Sequence, residues 1–424
     1  MKRTTFQRFY PLAIPLFFFV VYYFTAMAIS STQGYVRWST LFQADFPRVL
    51  RDLTEANGNH LRTNVHPIYV LLLNPIGVLL TQLLKSQINA VLLMTSICGA
   101  LSIYLTFQIL IKAGFRSIHA LIFSMILGFS AAHWLFSSMP ETYIFTIASL
   151  MLLVLIGITH AGNLKYWIPA GVLSFGMLTT NIALNGIIYF FSIIKTEQFK
   201  SAVRKAVIFL LILVIIVTAL SVVQKMIYPS SFYFFMVKIS GGETKFVFLP
   251  QSSSQAITRA GLLIANFAYY NFSAPEPMAV KDEVETQEDI LLYNFIGLSR
   301  YPLTGKLAVA IWSCLILISA FSIVKYRLYL NPLMQCMVAC LLFNFGLHTI
   351  YGEELFLYVC DWTFFALMCL AIGLKPLLEK TGWVSIVIIA LLLVYLTLQI
   401  VTNINFLNFI YDFLFAVRWS IEGW

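Results

Sequence analysis

The chain reads as an all-α, polytopic integral membrane protein of about eleven transmembrane helices with two large outer loops. Three observations predict this class. Aliphatic, aromatic and cysteine residues make up 60% of the 424 residues, and only 11% are charged; a soluble protein of this size could not cover its surface with so few charges. Apolar runs of about 20 residues recur along the chain, each long enough to cross a hydrocarbon core of roughly 30 Å. The basic residues behind the net charge of +9 fall in short clusters between those runs. That placement is a topology signal rather than a nucleic-acid footprint.

The expected spans are 10–30, 88–111, 117–137, 141–160, 165–181, 182–194, 206–228, 306–325, 332–350, 354–374 and 383–402. The run that follows Met1-Lys2-Arg3 has no small-residue cleavage site beyond it, so it is expected to be a retained first span. Segments 165–181 and 182–194 are short and meet near Thr179-Thr180-Asn181, as a hairpin that stops short of the far side. Segment 66–84 is apolar enough to cross, but Asn74-Pro75 interrupts it, since proline lacks a backbone donor and clashes with the preceding turn.

Charge decides its fate. If 66–84 lies in or dips into the outer interface, the short inner loops collect Lys2, Arg3, Arg8, Lys112, Arg116, Lys165, Lys195, Lys200, Arg204, Lys205, Lys325, Arg327, Lys375 and Lys380. They then hold two acids, Glu197 and Glu379, and the other 16 of the 18 acids fall outside. A crossing 66–84 would reverse every later loop against the positive-inside bias. The chain therefore divides into an N-terminal membrane module, 1–228, whose first outer loop is 31–87; a second outer loop, 229–305; and C-terminal helices with an interfacial tail, 306–424. An acidic patch falls at Lys281–Asp289, and the aromatic tail 403–424 is expected to rest on the membrane surface.

The six cysteines lie in apolar runs without metal-type or redox spacing, and the pair Cys336 and Cys340 suits helix packing. No internal repeat of the transporter kind stands out. No metal site and no cofactor are expected.

In LFQADFPRVLRDLTEA, Asp45 is placed as an N-cap with Pro47 in the first turn. Phe46, Leu50 and Leu53 then share one face, and Asp45, Arg48, Asp52 and Glu55 the other. This predicts a short amphipathic helix on the membrane with its carboxylates toward water; spacing alone also suits a merely solvated face. His66-Pro67 opens the dipping segment, where a histidine before proline serves equally as a turn residue. SSMPETY puts Glu141 at an outer mouth between linked spans, either as an interface anchor or as a functional acid. HTIYGEELFLYVCDW places His348, Tyr351, Glu353, Glu354 and Tyr358 at another outer turn, with Asp361 a turn deeper. A tyrosine and tryptophan belt accounts for the aromatics but not for adjacent glutamates.

On this topology Asp45, His66, Glu141, Asn181, His348 and the Glu353-Glu354 pair all reach the outer face. A wet outer cavity lined with carboxylates suits a transferase acting on a lipid-anchored substrate. A carboxylate serves as base toward a hydroxyl, and a basic group holds the phosphate of the leaving lipid. Arg62, His66, Arg259, Arg300 and His348 are candidates for that grip, and Arg48, Asn181, Tyr351, Glu353, Glu354 and Tyr358 for further substrate contacts.

These residues resemble the GT-C superfamily of membrane glycosyltransferases. The likeness rests on an acid soon after the first span, here Asp45, followed by a His-Pro element, here His66-Pro67, and on the PETY turn at Pro140–Tyr143. It implies transfer of a sugar from a polyprenyl-phosphate donor, on the outer face, with inversion and by a metal-independent route. Asp45 would be the base and Glu141 a supporting acid. Phe46 after Asp45, and the lack of a second proline after His66-Pro67, depart from protein O-mannosyltransferases. The expected acceptor is therefore a glycolipid or cell-surface polysaccharide, and the expected site is a bacterial inner membrane with the active face toward the periplasm. Two other classes compete. An O-antigen polymerase or ligase would centre on Arg259 and Arg300, and a lipid-linked sugar flippase would need deep charged residues, of which Asp361 is one.

Overall fold

The computed structural model describes residues 5–36, 40–236, 246–281 and 289–422, with side chains from 12 to 416. Among the described residues fifteen α-helices follow in chain order. They are α1 (Thr5–Ser30), α2 (Phe46–Thr54), α3 (Tyr69–Leu84), α4 (Gln87–Lys112), α5 (Ser117–Gly128), α6 (Ala131–Ser137), α7 (Tyr143–Thr159) and α8 (Leu164–Met177). After these come α9 (Asn181–Ile193), α10 (Phe199–Ile227), α11 (Ser253–Ala265), α12 (Leu303–Lys325), α13 (Pro332–Ile350), α14 (Cys360–Leu378) and α15 (Trp383–Glu422).

Among the described residues seven helices are long and apolar enough to cross a membrane, or eight if α5 and α6, which meet at 64°, form one broken span. The expectation of about eleven is thus too high. Hydropathy counts apolar residues whether or not they share one helix. The runs at 141–160, 165–181 and 182–194 resolve into helices of 17, 14 and 13 residues. At about 1.5 Å per residue these fall short of a 30 Å core. The hairpin expected at Thr179–Asn181 is present as the α8–α9 turn.

Two helices form the centre. Most of the apolar window of α4 and of α14 is buried, 72% in each, against 22–33% for the other five spans. α4 packs against α1, α3, α5 and α7, and α14 against α12, α13 and α15. Small residues let the backbones approach, as where Gly128 meets the Phe18 ring and Gly373 meets Ser319. The outer surfaces are studded with large apolar side chains such as Leu16, Phe24, Ile215, Leu317, Leu342 and Ile386. Water would penalise that surface at about 25 cal/mol per Å², whereas lipid tails cover it.

The ends of the bundle differ. Lys375 donates to the Ala113 carbonyl at 2.9 Å and sits over Phe115, while Lys380 and Lys325 approach the Tyr326 ring. The basic loops 112–116, 325–327 and 375–380 therefore gather at one end, and Lys2 and Arg3 lie outside the described residues. At the other end of α4, the two outer loops join. Phe42 N–H donates to the Leu291 carbonyl and Leu291 N–H to Thr40, beside a two-stranded antiparallel sheet, β1 (Met278–Lys281) and β2 (Asp289–Leu292). That sheet is a small departure from the all-α expectation. Lys281 pairs with Asp289 across it, and the rest of the expected acidic patch, 282–288, lies outside the described residues.

Two further expectations are corrected. Residues 403–424 do not form a separate interfacial helix. α15 runs unbroken to Glu422, because no proline or glycine interrupts 383–422, and Leu407, Ile410 and Leu414 are buried, with Leu414 against Gly34. Its 40 residues span about 60 Å, roughly twice the hydrocarbon core, so one end extends into the outer-loop layer. Pro75 does not break the 66–84 segment either. α3 runs from Tyr69 through Pro75 to Leu84. At 16 residues it is shorter than the helices counted as spans.

Candidate functional site

The first outer loop folds as its punctuation dictates. Asp45 is the N-cap of α2 and Pro47 lies in its first turn. The Asp45 carboxylate caps no backbone N–H; instead its Oδ2 accepts from Arg48 Nε at 2.5 Å. A chain of charges continues from there. Arg48 Nη1 donates to Asp52 Oδ2 at 3.0 Å, and Asp52 Oδ1 lies 3.0 Å from His60 Nδ1.

Here the solvated face expected of α2 is corrected. The Asp52 side chain is 3% exposed and that of Arg48 10%, because α2 is roofed rather than bathed. α3 covers it: Asn74 Nδ2 donates to the carbonyls of Asp52 and Glu55 at 2.9 and 3.1 Å, and Tyr228 hydroxyl donates to Asn74 Oδ1. Asp45 alone of the chain keeps real exposure, at 31% of its side chain. Its Oδ1 is nevertheless buried and has no hydrogen-bond partner among the described residues, so the exposed part of the side chain lies away from that atom.

His66 is buried, and its Nδ1 donates to the Met177 carbonyl at 2.7 Å. Burial, aided by the nearby Arg48 charge, pushes its pKa down to about 3, so at neutral pH the imidazole is uncharged with Nε2 carrying the lone pair. That bond also ties the loop to the α8–α9 turn, together with Ile68 N–H on the Gly176 carbonyl. Glu141 is buried where α6 gives way to α7, and its Oε2 accepts from Thr142 N–H. Burial raises it to about 7, opposed by the fields of Arg48 and Arg62. Arg48 itself is desolvated, yet Asp45 and Asp52 hold it firmly protonated. Asp45, Arg48, Glu141, His66 and Arg62 thus form one electrostatic neighbourhood.

The second expected group joins it through rings. Tyr143 packs edge-on to Tyr358 at 5.6 Å, and His348 lies 4.6 Å from Tyr358 and 5.2 Å from Trp362. Asp361 is buried at the start of α14, within the field of Glu141, with Oδ1 lacking a partner among the described residues. Glu354 behaves as a staple: its oxygens accept from Phe356 and Tyr293 N–H at 3.0 and 3.1 Å, and burial lifts it to about 7.

Other candidates are occupied elsewhere. Asn181 donates to Ser174 within the α8–α9 hairpin. Arg259 donates to the carbonyls of His348, Tyr351, Gly352 and Glu353, and burial lowers its pKa. Arg300 donates to the carbonyls of Glu276 and Pro277 at 2.8 and 2.7 Å. A phosphate would have to displace those bonds.

His60 and Asn74 belong to the site although nothing in the spacing marks them. The available signal was density, since seven ionisable side chains fall within 45–62. Among the described residues no cluster of three or more His, Cys, Asp and Glu side chains is arranged to hold a metal.

The fold and the site define a helical membrane protein with a buried network of ionisable groups in its outer-loop layer. Compared with known proteins, the chain matches no family model, no curated protein and no solved structure.

Proposed function

We propose that this protein is a membrane glycosyltransferase of the GT-C type, moving a sugar from a polyprenyl-phosphate donor to a glycolipid or cell-surface polysaccharide acceptor. The reading places it in a bacterial inner membrane with the Asp45 end toward the periplasm. One observation carries it: the gradient of exposure from Asp45 (31%) to Arg48 (10%) and Asp52 (3%). A base must reach its substrate while the groups that orient it stay dry and fixed. Asp45 takes the acceptor hydroxyl's proton as that oxygen bonds to the anomeric carbon, and the bond to the lipid phosphate breaks in the same displacement. Arg48 fixes the Asp45 rotamer, and Asp52 with His60 fixes Arg48. Glu141, carrying a proton for part of the time at neutral pH, is suited to donate a hydrogen bond.

General-base contributions run to about 10²–10⁴ in rate. Asp45→Asn keeps the shape but cannot accept the proton, so turnover with polyprenyl-phosphate sugar should fall within that range while insertion and stability persist. Near-normal transfer by Asp45→Asn sinks the assignment. A carrier of lipid-linked sugar is the second reading, favoured by an Asp361 oxygen within α14 that has no partner among the described residues. It requires Asp361→Asn to abolish function and Asp45→Asn to spare it.

A further inference from the structure

The outer layer holds a cavity of about 470 Å³ whose lining excludes the Asp45 cluster. Proteins enclose small ligands in spaces of roughly 300–1,000 Å³. One wall is a stripe of α11, where Ser254, Gln255, Thr258 and Leu262 recur at helical spacing. Facing it is the extended segment through Phe246 and Phe248. That segment is held in place because Phe248 N–H donates to the Ile350 carbonyl and Gly352 N–H to the Phe246 carbonyl, both at 2.9 Å.

The side chains decide which chemistry fits. Arg259 lines both this cavity and a smaller, mostly apolar cleft formed by Phe248, Leu263 and Phe345 among others. Nη2 is committed to three carbonyls and Nη1 donates one of its two N–H groups to a fourth, while the buried Nε–H has no acceptor among the described residues. Both N–H groups of Nη2 are thus taken, and neither fork that includes Nη2 is open to grip a phosphate. The Glu353 carboxylate on the same lining opposes an anion. What remains is two hydroxyls, an amide, a carboxylate acceptor and two phenylalanine rings, of which Phe248 has one face under the Arg259 guanidinium. Gln255 Oε1 already accepts from Gln251 N–H, which leaves the amide nitrogen to donate. Single hydrogen bonds around apolar ring faces suit a neutral, hydroxyl-rich ring.

The surroundings put the cavity at the membrane edge. Leu249, Ile257 and Ile264 are 71%, 72% and 55% exposed, and α11 packs on α13, whose Leu342 and Ile350 are also exposed. Large apolar side chains exposed on both packed helices suit a lipid boundary, so a membrane-borne molecule can present its sugar end here.

We propose that this cavity binds a short neutral saccharide at the end of a membrane-borne glycan, at a site apart from the Asp45 cluster. Its role as an acceptor subsite rests on the glycosyl-transfer reading; its binding does not.

The test uses the purified full-length chain in a zwitterionic detergent, with lactose, maltose and N,N′-diacetylchitobiose as probes in saturation-transfer NMR. At least one saccharide should receive saturation from the wild type. The signal should fall several-fold in Gln255→Ala and vanish in Thr258→Trp, which fills the cavity, and should be unchanged in Asp45→Asn. Gln255 and Thr258 lie on exposed helix positions, so unchanged thermal unfolding verifies that both variants fold. Silence from all the probes, or equal signal from Thr258→Trp, overturns the site. Displacement of the saccharide by inorganic phosphate overturns the ligand class. If binding holds while Asp45→Asn transfers normally, the glycosyl-transfer reading falls and the site stands. If binding fails while Asp45 is essential, the site alone falls.

Discussion

Asp52 shows what burial does to a residue whose spacing suggests a surface. It holds Arg48 with one oxygen and His60 with the other, beneath the Asn74 side chain. Breaking a buried pair by removing one partner typically costs about 3–5 kcal/mol, because the remaining charge is stranded. Asp52→Ala should therefore lower the thermal midpoint in detergent sharply. Glu55→Gln, on a half-buried carboxylate at the end of α2, should stay within about 0.5 kcal/mol of wild type. Equal midpoints for the two variants would remove Asp52 from any supporting role. Glu141 makes a different statement, about pH. Burial holds it at about 7 against an ordinary 4.5, so the folded state keeps a proton that the unfolded chain releases between those values. Its contribution to stability is full below about 4.5 and is lost as pH rises through about 7. Glu354 follows the same course, and His66, pushed down to about 3, the opposite one. Both cancel when wild type is compared with Glu141→Gln. The difference in stability between the two should change by on the order of 1–3 kcal/mol between pH 4.5 and 7, and a flat difference would contradict a protonated Glu141.

At the scale of elements, the junction of α2 and α3 positions the cluster. A methyl group built on Gly77 would overlap the Leu53 carbonyl oxygen, a backbone atom that cannot swing aside. Asn74 bonds the end of α2 one turn away, and Gln224 of α10 clamps the start of α3 through Leu71 N–H and the Pro67 carbonyl. Gly77→Val should therefore push α3 off α2, lowering the thermal midpoint and transfer activity together. A Gly77→Val protein that unfolds like wild type but lacks activity would separate the docking from the stability. The apolar run of 66–84 was legible in the sequence and charge asymmetry argued against its crossing, while the continuity of the helix through Pro75 depended on the partners that hold it.

At the scale of the molecule, the gathering of basic loops at one end and the polar outer-loop layer at the other gives a sidedness that labelling can read. With native cysteines replaced, a cysteine at Asn57 or Gln251, both exposed in outer loops, should react with an impermeant thiol reagent in intact cells. One at Gln198 should react only after permeabilisation. Asn271 would be a poor reporter, because it is buried and donates to the Phe267 carbonyl and Thr363 hydroxyl. Labelling at Gln198 in sealed cells would invert the orientation and place the Asp45 cluster inside.

Composition and charge placement indicated by themselves that this is a helical membrane protein and that Asp45, His66 and Glu141 share one face. Those properties are sums over many residues, and lipid solvation reads them without reference to packing. The span count needed the tertiary structure, since hydropathy does not register how much of an apolar run is helical: 141–160, 165–181 and 182–194 hold helices of only 17, 14 and 13 residues. The burial of Asp52, the recruitment of His60 and the commitment of Arg259 to four carbonyls also escaped it. Each depends on a partner distant in sequence, Asn74, Asp52 and the 348–353 turn respectively, and helical periodicity describes an element's faces but not what will cover them.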